Sequence, residues 1–312
     1  MPDLSPTLPV GRRTVTAAAL ILVLAGCGST AASPTPAGSV GPSSPPSAAP
    51  SPTPAPTVGA IEHQTGATDV VLRLEEGGGF VPIDFLASQA PTFTLYGDGV
   101  VVFQPKVETF PQPDSSGVVH GVPWRTAKLD EGQIQELLEF ALGPGGLGAA
   151  RESYIDGGIA DAGNSIFTID AGGLDKTVTI NALSDMSQGP DAAARSAFWK
   201  VAERLRDFDR GGSISTDPYQ PDRYRGVLIE REPQAGPGAA KWPWTTIQLG
   251  DFKAEALPDG GTSFPRRILT TGDIDALEIA DYAGGLQNIV IAGSDGKSYT
   301  LVVRPLLADE PR

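Results

Sequence analysis

The sequence predicts an α+β fold with mostly antiparallel sheet and helices on one face. Runs of β-branched and aromatic residues alternate with short turns that contain Gly and Asp, which is typical of hairpins. Two longer stretches carry apolar residues at helical spacing. The same order of elements recurs, so we expect two copies of a strand–hairpin–helix–hairpin unit. The units are predicted over residues 61–210 and 211–312, and the shorter second unit can form one body with the first.

The first 27 residues have the three parts of a bacterial signal peptide. Arg12 and Arg13 precede an apolar run over residues 15–24. With about ten residues, the run is shorter than the roughly 20 that a stable membrane-spanning helix needs. It ends in the tetrapeptide Leu-Ala-Gly-Cys at positions 24–27, which holds the only cysteine of the chain. A disulfide within the body is therefore excluded.

This tetrapeptide resembles the lipobox of bacterial lipoproteins, and the resemblance covers residues 1–27 only. It implies that a diacylglycerol is attached to the sulfur of Cys27 and that a peptidase cleaves between Gly26 and Cys27. Acyl chains such as palmitate would then hold the mature protein on the cell membrane, facing outside the cytoplasm. The pair Arg12-Arg13 is similar to a twin-arginine export signal, but the residues after it match poorly, so Sec-type export is favoured and the route stays open.

Residues 28–60 are predicted to be a disordered tether. They consist of Ser, Pro, Ala, Thr and Gly apart from Val40 and Val58, and they contain no charged residue. This composition buries too little apolar surface to offset the entropy of ordering. The high proline content favours an extended polyproline II chain. We expect a spacer between the membrane and the body.

The first unit begins with a strand over residues 69–75. The clearest hairpin of the sequence follows, with strands at 92–96 and 100–103 around a Gly-Asp-Gly turn. A loop rich in Pro, Gly and Ser is predicted over residues 105–125.

A helix is predicted to begin after Asp130. This residue is a good N-cap, and Gln133 completes a capping box. A glycine-rich stop lies at residues 143–146. A hairpin over residues 165–180 and a second helix over residues 191–207 follow, the helix with a buried apolar stripe and a charged outer side. The apolar face of the first helix consists of Ile134, Leu137, Leu138 and Ala141.

The second unit repeats this order in the sequence. The matching segments are residues 226–232 with 70–76, 245–251 with 93–98, 267–277 with 127–137, 284–286 with 145–147, and 289–303 with 166–180. Thr270 and Asp273 take the capping-box positions of the second unit. Five elements in one order therefore predict the duplication.

Four aromatic residues in loop-like stretches are the candidate binding residues: Trp124, Tyr219, Tyr224 and Trp242. Exposed Trp and Tyr side chains anchor protein or sugar ligands. Trp242 is the first choice, because Trp244 precedes a predicted strand and should point the other way, into the core. The formal net charge of −14 argues against nucleic acid as a partner, because no basic run is present in the body.

A glycine-rich stretch offers oxygen ligands from Asp156, Asp161 and Asn164. Calcium is the metal that prefers such ligands, although the spacing is not that of an EF-hand loop. The two histidines, His63 and His120, share no metal-ligand spacing, and we expect exposed loop histidines. No other cofactor is predicted.

No catalytic motif is present, so the sequence favours a non-enzymatic binding or interaction body on a lipid anchor, with an unknown protein or glycan of the cell envelope as its partner. Two alternatives stay open. Carboxylates at strand ends, such as Glu75 and Glu76, could serve an envelope hydrolase of the glycosidase type. A structural envelope protein without a small ligand is the other. Any ligand is expected in the groove between the two units.

Overall fold

A computed structural model describes residues 59–155, 158–159, 161–210, 212–231, 239–256 and 263–311. These residues form thirteen strands in two sheets. The first sheet has the strand order β6 (Ser153–Tyr154), β8 (Leu174–Asn181), β7 (Gly163–Ala171), β1 (Val70–Gly78), β2 (Phe93–Tyr96), β3 (Val100–Phe103), β5 (Arg125–Lys128) and β9 (Asp217–Pro218). The second has the order β11 (Arg266–Thr270), β10 (Arg223–Glu230), β13 (Ser298–Pro305), β12 (Leu286–Ala292) and β4 (Val119–His120).

The described helices are few: α1 (Ile83–Ser88), α2 (Glu131–Leu142), α3 (Ala192–Arg206), α4 (Thr271–Asp275) and a 3-10 turn at Leu249–Asp251. The predicted α+β fold with helices on one face is therefore wrong, since the described residues are mostly sheet and α1 and α4 have only six and five residues. The helix predicted to begin after Thr270 is short because the chain turns away after it. Glu278 and Asp281 adopt left-handed φ angles of 56° and 52°, which a helix does not contain.

The helices also lie on different faces. α2 and α3 pack their predicted apolar stripes on the first sheet. Side chains alternate along β10, so Val227 and Leu228 lie on opposite faces of the second sheet. Ala87 of α1 packs on the face of Val227, whereas Ile274 of α4 packs with Leu228 on the other. The described helices therefore do not form a single layer on one face of the sheets.

The predicted duplication fails in the strand pairing. β1 pairs with β7, the first strand of the β7–β8 hairpin. Its supposed counterpart β10 instead pairs with β13, the second strand of the β12–β13 hairpin. The segment 245–251, expected to match the strand at 93–98, is a loop that ends in the 3-10 turn. The two halves share local patterns but not a topology.

Local predictions are confirmed at both helix starts and at two hairpins. The Gln133 amide donates to Asp130 Oδ1 at 2.9 Å, and the Asp130 amide donates to Gln133 Oε1 at 3.0 Å. Thr270 and Asp273 form the same reciprocal pair. The β2–β3 and β7–β8 hairpins turn where glycines were predicted to permit it, at residues 97–99 and 172–173.

Segments from each half of the sequence cross to the sheet formed mainly by the other half. Residues Ala55–Arg312 form one compact unit, and the predicted division of the body near residue 210 stays a prediction. β4 belongs to the first half of the sequence but pairs with β12, and β9 belongs to the second half but pairs with β5. α1 crosses from the first sheet to pack on the second. The region where these crossings meet contains the cavities described next.

Candidate functional site

The four predicted aromatic residues mostly pack inside the fold. Trp124 is only 4% exposed and stacks on Tyr219 with 6.1 Å between ring centroids. The Tyr219 hydroxyl donates to the Leu306 carbonyl at 2.8 Å. Tyr224 is buried in the core of the second sheet, edge-to-face with Tyr282. A binding role for these three stays a prediction.

Trp242 is half-buried beside the same core. Its indole Nε1 donates to the Ile247 carbonyl at 2.7 Å, and its ring packs edge-to-face on Trp244 at 5.2 Å. Trp244 is buried, as expected. The indole of Trp242 therefore already has a hydrogen-bond acceptor, which leaves its exposed ring surface as the part available to a ligand.

The predicted calcium ligands are only partly described. Asp156 lies outside the described residues. The exposed Asp161 accepts the amide of Phe80 at its carbonyl oxygen, 3.1 Å away. Asn164 Oδ1 accepts a hydrogen bond from Asn181 Nδ2 at 3.2 Å. Across the described ranges, no three His, Cys, Asp or Glu side chains come together where they could hold a metal ion.

Gly26 and Cys27, the predicted cleavage and lipidation residues, also lie outside the described residues. In the part of the chain that the structure describes, no helix has both the length and the apolar character to cross a membrane.

The two histidines are less exposed than expected for loop residues, with side chains that are 6% exposed at His63 and 30% at His120. His63 Nε2 lies 3.3 Å from Glu131. His120 on β4 lies with Nε2 3.1 Å from Asp114 Oδ2 and with Nδ1 3.4 Å from the Asp281 carbonyl. The hydrogen bond that His120 donates to Asp114 raises the pKa of His120, and burial partly opposes this shift. The contact between Asp114 and His120 holds the turn after the loop at 105–112 next to β12, because His120 lies on β4, which pairs with β12.

Two adjoining hollows lie between the sheets, with volumes of about 440 and 590 Å³. They share four lining residues and so form one surface, which we call the aromatic cleft: Phe85, Phe110, Val119 and Gln287. Volumes of about 300–1,000 Å³ are typical of ligand sites. The floor of the first hollow is bare backbone, because Gly121 and Gly284 meet there. A Cβ on Gly284 would lie 2.1 Å from the Gly121 carbonyl oxygen, so neither position has room for a side chain.

Large apolar side chains are exposed at this cleft. Phe110 is 74% exposed and Phe85 41%. Phe80, Ile83 and Leu86, from the segment that leads into and forms α1, are exposed as well. α1 buries only Ala87, so its remaining apolar residues contribute little to the core. Contiguous exposed apolar surface of this kind is typical of interaction sites.

A polar cavity of about 420 Å³ adjoins the cleft, with Gln89 in the wall between them. Asp309 accepts hydrogen bonds from Arg73 and from the Tyr96 hydroxyl of the first sheet, both at 2.7 Å. Its neighbour Glu310 accepts from Arg304 of the second sheet at 2.8 Å. We call these two carboxylates and their arginine partners, which include Arg225, the carboxylate clasp.

The charges of this clasp satisfy one another. Burial by itself would raise the pKa of Glu310, but the hydrogen bonds and charge of Arg304 outweigh it and lower that pKa. On the same cavity wall, Glu76 is ion-paired with Arg206. The carboxylate clasp therefore connects the two sheets across the polar cavity. Glu76 and Glu310, which line this cavity, are both ion-paired with arginine.

Asp84 differs from these ion-paired glutamates. It lies on α1 and lines the larger hollow beside Phe85 and Phe110. Among the described residues its carboxylate has neither a hydrogen-bond nor an ion-pair partner. Burial raises its pKa, and the charge of Arg231 opposes this shift.

Sequence reasoning missed the cleft. The signal was the apolar segment at 80–86 directly after three glycines, with one acidic residue inside it. It was overlooked because six helical residues are too few for a periodic pattern.

The comparisons with known proteins give no relative. No protein-family model, no curated protein and no solved structure matches the chain.

Proposed function

We propose that this protein is a lipid-anchored binding protein of the cell envelope, non-enzymatic and facing outside the cytoplasm, with the aromatic cleft as its binding face. The observation that carries the proposal is the exposure of Phe85 and Phe110 on the shared wall of two hollows. Full burial of a Phe side chain contributes about 1.5–3 kcal/mol, and Phe85 at 41% and Phe110 at 74% exposure forfeit part of that contribution. A partner that covers them recovers it.

The anchor part of the proposal is supported by the signal-peptide pattern of residues 1–27 and its lipobox-like end at Cys27. The predicted tether over residues 28–60, rich in proline and free of charge, would connect the anchor to the body. The hydrolase alternative is not taken further, because Glu76 and Glu310 in the polar cavity are held by arginines.

Binding at the cleft is tested with a neutral, environment-sensitive apolar dye such as Nile red. The double variant Phe85→Ser/Phe110→Ser should weaken dye binding about 30-fold, the loss expected when hot-spot aromatics are truncated. The control is Ile155→Ser/Met186→Ser, which removes two apolar side chains that are 67% and 78% exposed but line neither hollow. Equal dye binding by both double variants would overturn the assignment of the cleft.

The anchor is tested by the intact mass of membrane-extracted protein. A mass that matches residues 27–312 plus acyl chains is expected, and Cys27→Ala should release the protein from the membrane fraction. An unlipidated mass that starts at another residue would overturn this part alone, because dye binding by the body does not depend on it.

A further inference from the structure

Asp84 distinguishes the aromatic cleft from a purely apolar surface. Its carboxylate lines the 590 Å³ hollow among Val81, Pro82, Phe85 and Phe110. A carboxylate beside apolar groups and without a partner is unfavourable. The raised pKa of Asp84 is consistent with that setting. A ligand that brings a cation to this carboxylate would remove the penalty.

The other charged residues around the cleft also favour a cationic ligand. Lys106 lies 3.6 Å from Glu203, and Asp114 contacts His120, so these charges already have partners. Glu108 lies between Val107, which lines the cleft, and Phe110, and it makes no ion pair with any described residue. Arg231 does not line either hollow and makes no ion pair with a described residue, but its charge acts on Asp84. Asp84, on the lining itself, and Glu108, beside it, are both negative and have no ion-pair partner among the described residues, in a chain with a formal net charge of −14.

We propose that the aromatic cleft binds a cationic amphipathic segment of a protein partner. One Lys or Arg of the partner would pair with Asp84, while apolar side chains on the same face of the segment pack against Phe85 and Phe110. The inference rests on the proposed binding function and adds the chemical class of the ligand.

The geometry favours such a segment over two other occupants. An anionic bilayer surface or a fatty-acid carboxylate would be repelled by Asp84 and Glu108. Two adjoining hollows with a shared wall suit successive side chains of one chain better than a single compact ligand. An amphipathic segment placed in a groove anchors itself in this way, with apolar residues on one side.

The test uses two synthetic amphipathic peptides with one leucine pattern, which carry either lysine or glutamate at the polar positions. Binding to the intact protein is measured by calorimetry at about 0.15 M salt, where long-range attraction is largely screened. The lysine peptide should bind at least about tenfold more tightly than the glutamate peptide. Asp84→Asn should weaken the lysine peptide about tenfold, and Asp84→Glu should retain binding.

The matched control is Asp175→Asn, which removes the same charge from an exposed position at the start of β8. If Asp84→Asn and Asp175→Asn weaken the lysine peptide equally, the attraction is only that of an acidic protein, and the inference is overturned. Equal affinity for both peptides overturns it as well. In either case, the proposed binding function still stands if dye binding depends on Phe85 and Phe110. If dye binding does not depend on these two residues either, both the binding function and the inference about its ligand are overturned.

Discussion

Asp130 and Thr270 each begin a helix by the same exchange of hydrogen bonds, although the helices that follow differ greatly in length. In both cases a side chain accepts an amide of the first turn, and the residue three positions later accepts the amide of the cap. This pattern needs no distant part of the chain. It could therefore be predicted from the sequence, while the end of α4 could not, because the left-handed residues after it carry no sequence signal of their own.

Replacing Asp130 should weaken α2 measurably. We expect Asp130→Ala to lower the free energy of unfolding by about 1 kcal/mol, because an amide of the first turn loses its acceptor. The measurement is urea unfolding followed by circular dichroism. Glu139→Ala is the control, since this exposed residue of the same helix makes no side-chain ion pair or hydrogen bond within the described residues. Equal effects of the two variants would contradict a capping role.

Asp84 shows the opposite case at the residue scale. The apolar segment around it is the signal that the sequence carries, but that segment does not show whether the carboxylate has a partner in the folded chain. Its character depends on Phe110 and Val119, which α1 meets only in the folded chain. The candidate site therefore could not be located from the sequence, and the aromatic residues favoured there lie mostly in the cores.

Among the elements, the segment after β13 connects the sheets most directly. Its two adjacent carboxylates point to different sheets, Asp309 to Arg73 and Glu310 to Arg225 and Arg304. Arg304 and Glu310 have side chains that are only 7% and 13% exposed. Water therefore cannot replace either partner well, and removal of one leaves an unpaired charge inside the protein.

We expect Glu310→Ala to lower the free energy of unfolding by roughly 3 kcal/mol, within the range for breaking a buried ion pair. Glu230→Ala is the control. It breaks the Lys297–Glu230 pair, in which both side chains are more than half exposed, and should cost no more than about 0.5 kcal/mol. Urea midpoints at neutral pH give both values. Similar losses for the two variants would mean that the clasp is no stronger than a surface pair.

The clasp also sets the direction of a pH dependence. The pKa of Glu310 in the folded protein lies below its ordinary value of 4.5. Its contribution is therefore fully present above about pH 4.5 and is lost as the pH falls through the folded pKa. The difference in stability between the parent protein and Glu310→Ala should shrink as the pH is lowered below 4.5. A difference that stays constant down to acid unfolding would contradict this assignment.

At the scale of the whole molecule, the hairpins were predictable and the sheets were not. Residues 92–103 and 165–180 pair across short turns, so their alternation and glycines are enough to define them. Which strand stands beside a hairpin depends on contacts between distant segments. This is why β1 and β10, so similar in sequence, pair with different members of their hairpins.

The shared strands predict that the body unfolds as one unit. β4 and β9 each complete the sheet of the other half, so neither sheet keeps all its strands if the other opens. Replacing Trp124 and Trp199 by Phe leaves Trp242 and Trp244 to report the core of the second sheet. Replacing Trp242 and Trp244 by Phe instead leaves Trp124 and Trp199 as reporters of the first sheet. For each variant, the fluorescence and circular dichroism midpoints in urea should coincide, and two separated transitions would show that the sheets unfold independently.

The pairing of β4 with β12 has a consequence in time. His120 and Asp281, which meet across this contact, are 161 residues apart in the sequence. A ribosome that adds about 5–20 residues per second needs roughly 8–32 s to make the intervening chain. Throughout that interval Phe85 and Phe110 exist without the opposite wall of their cleft. A nascent chain that stalls during this interval would expose the apolar side chains of the cleft before the second wall has formed. Chaperone binding to the chain should be strongest at this stage of synthesis.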